Sequence, residues 1–161
     1  MAGGEEDVLS TQGPLVKSQL SWKEAHEQLD NYDVLVILGG NSASILEKKA
    51  QPLDLISAFA KLQQDDPSKE RTLLSVCTGS LFLAAQGILV GLSATTHPYY
   101  ILPFEKLCGQ AAKRDLDEFT DVQEDVRFVV NNLRFDLGDK DENPYIRRPS
   151  DARKLAHAAA R

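Results

Sequence analysis

The residue in this chain best placed to do chemistry is Cys77. It stands in Thr72-Leu-Leu-Ser-Val-Cys77-Thr78-Gly79-Ser80-Leu-Phe-Leu-Ala-Ala-Gln86-Gly87. That segment reads as a buried apolar strand, a sharp turn carrying the cysteine, and a helix of small residues. A strand that turns abruptly into a helix lifts one side chain out of the sheet and points the helix N-terminus at it. A thiol held there lies beside unpaired backbone N–H groups and the positive end of the helix dipole, both of which favour thiolate. With serine in place of cysteine the arrangement is the nucleophile elbow. Gly79 lets the backbone approach closely at the turn. The chemistry on offer is nucleophilic attack on an electrophilic carbon.

A second feature lies upstream of the first. Asp33-Val-Leu-Val-Ile-Leu38 is a continuous apolar β run that ends at Gly39-Gly40-Asn41-Ser42. Such a run fits a parallel strand buried on both faces. The paired glycines bring backbone N–H groups to the end of the strand. His97 ends a short β segment, Ser93 to Thr96, and suits loop anchoring better than a Cys–His dyad. His26 falls on a solvated helix face, and His157 has no role. Cys108 sits in a helical stretch without a partner motif and reads as packing. Glu47-Lys48-Lys49 and Lys69-Glu70-Arg71 read as solvated charge clusters. Tyr99-Tyr100 suits a pocket wall, a subunit contact or plain packing.

The elements that must position these residues follow from periodicity and punctuation. Val8 to Thr11 and Leu15 to Leu20 form a short edge element broken by Gly13-Pro14. Ser21-Trp-Lys-Glu24 has the form of a capping box and opens a short amphipathic helix. A helix covers Leu53 to Leu62, Thr72 to Val76 is the second buried strand, and Ser80 to Gln86 is the helix after the elbow, capped by Gly87. Phe104 to Lys113 is helical and Val126 to Val130 is a further strand. Strands alternating with helices predict an α/β domain with a mainly parallel sheet flanked by helices. The domain runs over 8–130, after an acidic tail at 1–7 and before a divergent, mobile segment at 131–161.

Composition narrows the class. The chain has 161 residues, 42% of them hydrophobic, which suits one domain with a sizeable core. The formal net charge of -6 argues against nucleic acid and anionic membrane as partners. Arg147-Arg148 and Arg153-Lys154 belong to a solvated tail. Two cysteines make neither a disulfide framework nor a zinc site, so the expectation is a reduced, cytoplasmic setting with no metal. No apolar run reaches the roughly 20 residues of a membrane span. The N-terminus lacks the apolar core of a secretory signal.

Ser75 to Gly87, followed by Gly91-Leu-Ser-Ala-Thr-Thr-His97, resembles the DJ-1/PfpI superfamily of class I glutamine-amidotransferase-like, flavodoxin-like folds. Within it the Cys-Thr-Gly elbow and the Ala-Thr-Thr-His segment look most like isonitrile hydratases. Asp33 to Gly40 matches the family strand that ends in paired glycines. The resemblance covers roughly residues 8–130. It implies Cys77 as nucleophile and Thr78 as a hydrogen-bonding partner of a substrate atom or water. It implies Gly39, Gly40 and Gly79 as an oxyanion or substrate-binding loop, with His97 in support. It calls for a small-molecule substrate, no cofactor and no metal, and allows a homodimer.

Two departures from the family pattern stand out. Thr78 occupies the place where peptidase-like members put histidine, so a Cys-His-Glu triad is not supported. The family's opening strand and its acidic residue facing the cysteine are missing, and Glu5, Glu6 and Asp7 do not take that role. The domain is therefore read as incomplete, shortened at both ends. Three readings follow. The chain is a cysteine-dependent hydratase or hydrolase that turns an isonitrile into an N-substituted formamide. Alternatively it is a non-catalytic or redox-sensing domain of the same fold. The third is a shortened product whose strands pair with another copy.

Overall fold

The described helices cover one side of the strand pair that leads to the cysteine. The computed structural model describes residues 7–9, 13–40, 42–112 and 119–131. The acidic tail, apart from Asp7, and the 131–161 segment, apart from Asn131, lie outside them. So do Arg147, Arg148, Arg153, Lys154 and His157.

The chain opens with an antiparallel pair, β1 (Val8–Leu9) and β2 (Leu15–Val16). Helix α1 (Trp22–Glu27) starts at the expected capping box. Ser21 Oγ accepts from the Glu24 N–H at 3.3 Å, and the Glu24 carboxylate accepts from the Ser21 N–H at 2.8 Å. The Ser21 N–H bond first, then the Ser21 hydroxyl donating to the same carboxylate at 2.7 Å, hold the Glu24 carboxyl below its usual range. A 3-10 turn over Leu29–Asn31 leads to β3 (Val34–Ile37).

Strand β3 pairs in parallel with β4 (Thr72–Ser75), Val36 beside Leu74 and Ile37 beside Ser75. Between them lie α2 (Ala43–Lys48) and α3 (Leu53–Asp65). Sequence reading missed α2. Its apolar face is only Ile45 and Leu46, both partly buried, and its charged end had been read as a solvated cluster. Helix α3 buries Leu53, Leu55, Ile56 and Phe59. Leu35 and Leu73 point the same way and join two core clusters, one around Phe59 and Leu29, the other around Phe82 and Phe104. Each large apolar side chain fully buried in them contributes roughly 1.5–3 kcal/mol.

The opposite face corrects the expectation of a strand buried on both sides. Val34, Val36, Leu38, Leu74 and Val76 are 44–68% exposed. Successive strand residues alternate between faces, so these five share one face. All the described helices that pack on the pair do so on the Leu35–Ile37 side.

The start of β4 is fixed by Arg71. Its guanidinium, 2% exposed, reaches the carbonyl oxygens of Leu62 (3.1 Å) and Asp66 (3.4 Å) at the end of α3. It also pairs with Asp30 Oδ1, which Lys69 approaches as well. The Arg71 hydrogen bond first, then Lys69, hold the Asp30 carboxyl below its ordinary value. The cluster read as solvated charge is thus in part a buried staple.

Past the elbow, α4 (Ser80–Ala85) ends at a Gln86 cap, with Gly87 just beyond it at φ 72. Gly87, read as the cap itself, is the next residue, and its N–H bonds to Ala84 O at 3.0 Å. Strand β5 (Ser93–Ala94) pairs in parallel with β6 (Asp121–Val122). Helix α5 (Ile101–Ala112) starts three residues before the expected Phe104. Pro103 lies in its first turn, where no intrahelical N–H is required. The strand expected at Val126 to Val130 is not formed. Asp121 and Gln123 have already taken the backbone partners Leu92 and Ala94, and Ser93 Oγ binds the Asp121 carboxylate at 3.0 Å. What reaches β5 from the later segment is a side chain: Asn131 Oδ1 accepts from the Ser93 N–H at 3.1 Å.

Candidate functional site

The elbow is built by crowding. Val76 N–H bonds to Ile37 O at 2.9 Å, carrying the β3–β4 ladder to its last rung. The chain then reverses at Cys77, whose φ is 56, in the left-handed region. A non-glycine residue there costs roughly 1–2 kcal/mol and persists only where its surroundings over-determine it. Residues 77–79 form a 3-10 turn that runs directly into α4.

Two glycines make that turn sterically feasible. A Cβ on Gly79 would lie 2.4 Å from Ile37 O, so the elbow rests against the end of β3. A Cβ on Gly39 would lie 2.7 Å from Thr78 N and 3.0 Å from Cys77 Cβ. The glycine pair expected to face the cysteine therefore does so at backbone contact.

Cys77 is exposed, and its neighbour Thr78 is 3% exposed. Thr78 Oγ1 accepts from the Gly40 N–H at 2.9 Å and lies 3.2 Å from Gly40 O, to which it donates. The hydroxyl is thus engaged in tying the glycine loop to the elbow. The Gly40 N–H is occupied by that bond, and the Gly79 N–H by Val76 O at 3.0 Å. The amides of Gly39 and Thr78, packed against one another, carry no hydrogen bond among the described residues. They are donors of the elbow and of its facing glycine that remain without a partner among the described residues.

Behind the elbow, Cys77 O accepts from Ser80 Oγ at 3.1 Å and from Thr96 Oγ1 at 3.3 Å. Neither hydroxyl was singled out from sequence. Thr96 lay in plain view inside Ala94-Thr95-Thr96-His97, but nothing in the residue types says which neighbour its hydroxyl meets. His97 turns to its own loop. Its Nδ1 accepts from the Tyr99 N–H at 3.3 Å, capping the 3-10 turn Pro98–Tyr100, and its ring lies 5.3 Å from that of Tyr99. That is the anchoring role read from sequence.

The other thiol is different. Cys108 is buried in the α4–α5 core, and burial pushes its thiol up. No hydrogen bond joins Cys77 Sγ to a carboxylate among the described residues. Asp7, one of three acidic residues set aside from sequence, accepts from the Ser18 N–H at 3.1 Å in the opening hairpin. Glu5 and Glu6 lie outside the described residues. Surface depressions lined by Glu105, Cys108 and Phe119, and by His26, Asp30 and Lys61, do not include Cys77. Among the described residues, no group of three His, Cys, Asp or Glu is placed to hold a metal. No described helix is long and apolar enough to cross a membrane.

Parallel strand pairs with helices packed against them, and a cysteine elbow at the end of one strand, define an α/β protein. The model of the DJ-1/PfpI family matches residues 2–130, and the chain belongs to that family. It is 34% identical over 113 residues to the isonitrile hydratase of Pseudomonas putida, covering 60% of this chain and 46% of the relative. It is 30% identical over 105 residues to DJ-1 protein homolog F of Arabidopsis thaliana, covering 62% and 25%. It is also 30% identical over 95 residues to the Parkinson disease protein 7 homolog of Danio rerio, covering 59% and 47%. The chain thus spans between a quarter and about half the length of these relatives.

Proposed function

We propose that this chain carries a cysteine nucleophile that hydrates a small electrophile of the isonitrile type. The observation that carries the reading is Cys77 held left-handed and exposed, with Gly39 packed against the elbow and the Gly39 and Thr78 amides without a partner among the described residues. The likeness to an isonitrile hydratase supports that substrate class.

In this reading the Cys77 thiolate adds to the terminal isonitrile carbon, forming a C–S bond. The same carbon takes a proton from water, leaving a thioimidate. Charge that develops as water adds is met by the Gly39 and Thr78 N–H groups. The C–S bond then breaks, the thiolate is restored, and an N-substituted formamide leaves. Isonitrile and one water account for every atom of the product. Thr78 acts by fixing the glycine loop rather than by touching the substrate.

The test is formamide release from an isonitrile by the chain and by Cys77→Ala. Product from the wild type alone supports the reading, and equal turnover by both variants ends it. The exposed thiol, with no bonded carboxylate among the described residues, is also compatible with a second reading, a redox-sensing domain. Under it, peroxide oxidises Cys77 before Cys108 and no isonitrile is consumed.

A further inference from the structure

We propose that Thr96 is a positioning residue for the elbow, acting through the Cys77–Thr78 peptide. The inference rests on the nucleophile reading above. Cys77 O accepts two hydroxyls. The Ser80 bond spans three residues and belongs to the turn itself. The Thr96 bond spans nineteen and comes from the segment after β5, a different part of the fold.

The peptide that carries Cys77 O also carries the Thr78 N–H, and it is planar. Anchoring the oxygen on one side therefore fixes the direction of the N–H on the other. Donation to a carbonyl also polarises the amide and strengthens its N–H as a donor. That N–H has no hydrogen-bond partner among the described residues, and Thr78 Oγ1 is already committed to Gly40. Thr96 thus holds both the left-handed turn at Cys77 and the donor that steadies negative charge next to it.

A role limited to anchoring the His97 loop would change stability and nothing else. The experiment separates the two by following iodoacetamide alkylation of Cys77 across pH in the full chain. Peptide mass resolves it from Cys108. It uses no isonitrile, so it reads the elbow even if the hydratase reading fails. Thr96→Val is expected to label about fivefold more slowly near neutral pH, the loss of one ordinary hydrogen bond. Thr96→Ser keeps the hydroxyl and is expected to follow the wild-type profile. Thr96→Ala, which sets no new methyl against the carbonyl, stands in if the valine variant does not fold and is expected to be equally slow. A hydroxyl-less variant that labels along the wild-type pH profile, whatever its stability, overturns the proposal. So does a serine variant as slow as valine.

Discussion

The same substitution, glycine to alanine, is expected to change stability in opposite directions at two sites. At Gly79 the added Cβ would meet Ile37 O at 2.4 Å, with Ile37 C at 3.1 Å and Cγ2 at 3.3 Å. The first two atoms are backbone and part of the last β3–β4 rung, so they cannot swing aside. Overpacking of this kind costs about 1–3 kcal/mol. Replacing glycine in a helical conformation returns at most about 1 kcal/mol. The net expectation is a loss of about 1–2 kcal/mol. At Gly109, inside α5, a Cβ meets nothing within 4 Å. There only the propensity term acts, and a gain of about 0.8–1 kcal/mol is expected. Urea unfolding followed by far-UV circular dichroism measures both against wild type, with similar m-values as the check on two-state behaviour. The two variants should differ by about 2–3 kcal/mol. A Gly79→Ala protein as stable as wild type would mean the elbow does not rest on Ile37, and the packing argument would fall.

Arg71→Met removes a buried guanidinium from the α3 carbonyls of Leu62 and Asp66 and is expected to cost about 2–3 kcal/mol in the same assay. The Asp30 carboxyl is held below its ordinary 3.8 by Arg71 first and Lys69 second. Its contribution is therefore complete above 3.8 and lost as pH falls through the lower folded value. Asp30→Asn should flatten the stability curve in that acid window and leave its shape at neutral pH unchanged. Val36→Thr, on the exposed face, should stay within about 0.5 kcal/mol of wild type. Ile37→Ala, one residue on but 4% exposed, should cost about 2–5 kcal/mol. In the folded chain, iodoacetamide should modify Cys77 well before buried Cys108, and in denaturant the two rates should converge.

Local rules made much of the fold legible. The Ser21–Glu24 capping box, the Asp33–Leu38 run, the Cys77 turn and Gly87 all encode their structure within a few residues. Features that depend on what lies opposite were not readable. An unbroken apolar run says that a strand is apolar, not that both faces are covered, so the bare Val34–Val36–Leu38 face went unseen. Val126–Val130 has strand residues, but β5 offers only two, and Asp121–Val122 pairs with them. Arg71 looks like any charged residue until α3 ends above it. In the site, the thiol and the glycines follow from the elbow's own spacing. The hydroxyls of Thr78 and Thr96 have partners fixed by tertiary contact, and residue type alone does not name them.

The most direct test of the nucleophile is a single turnover mapped to a residue. An isonitrile is mixed with the chain in molar excess, quenched in acid at short intervals, and the protein digested for peptide mass. The account predicts the mass of the isonitrile on the Cys77 peptide, rising and then falling as formamide appears, with the Cys108 peptide unchanged. Formamide that accumulates while Cys77 stays unmodified and fully alkylatable at every interval would contradict it.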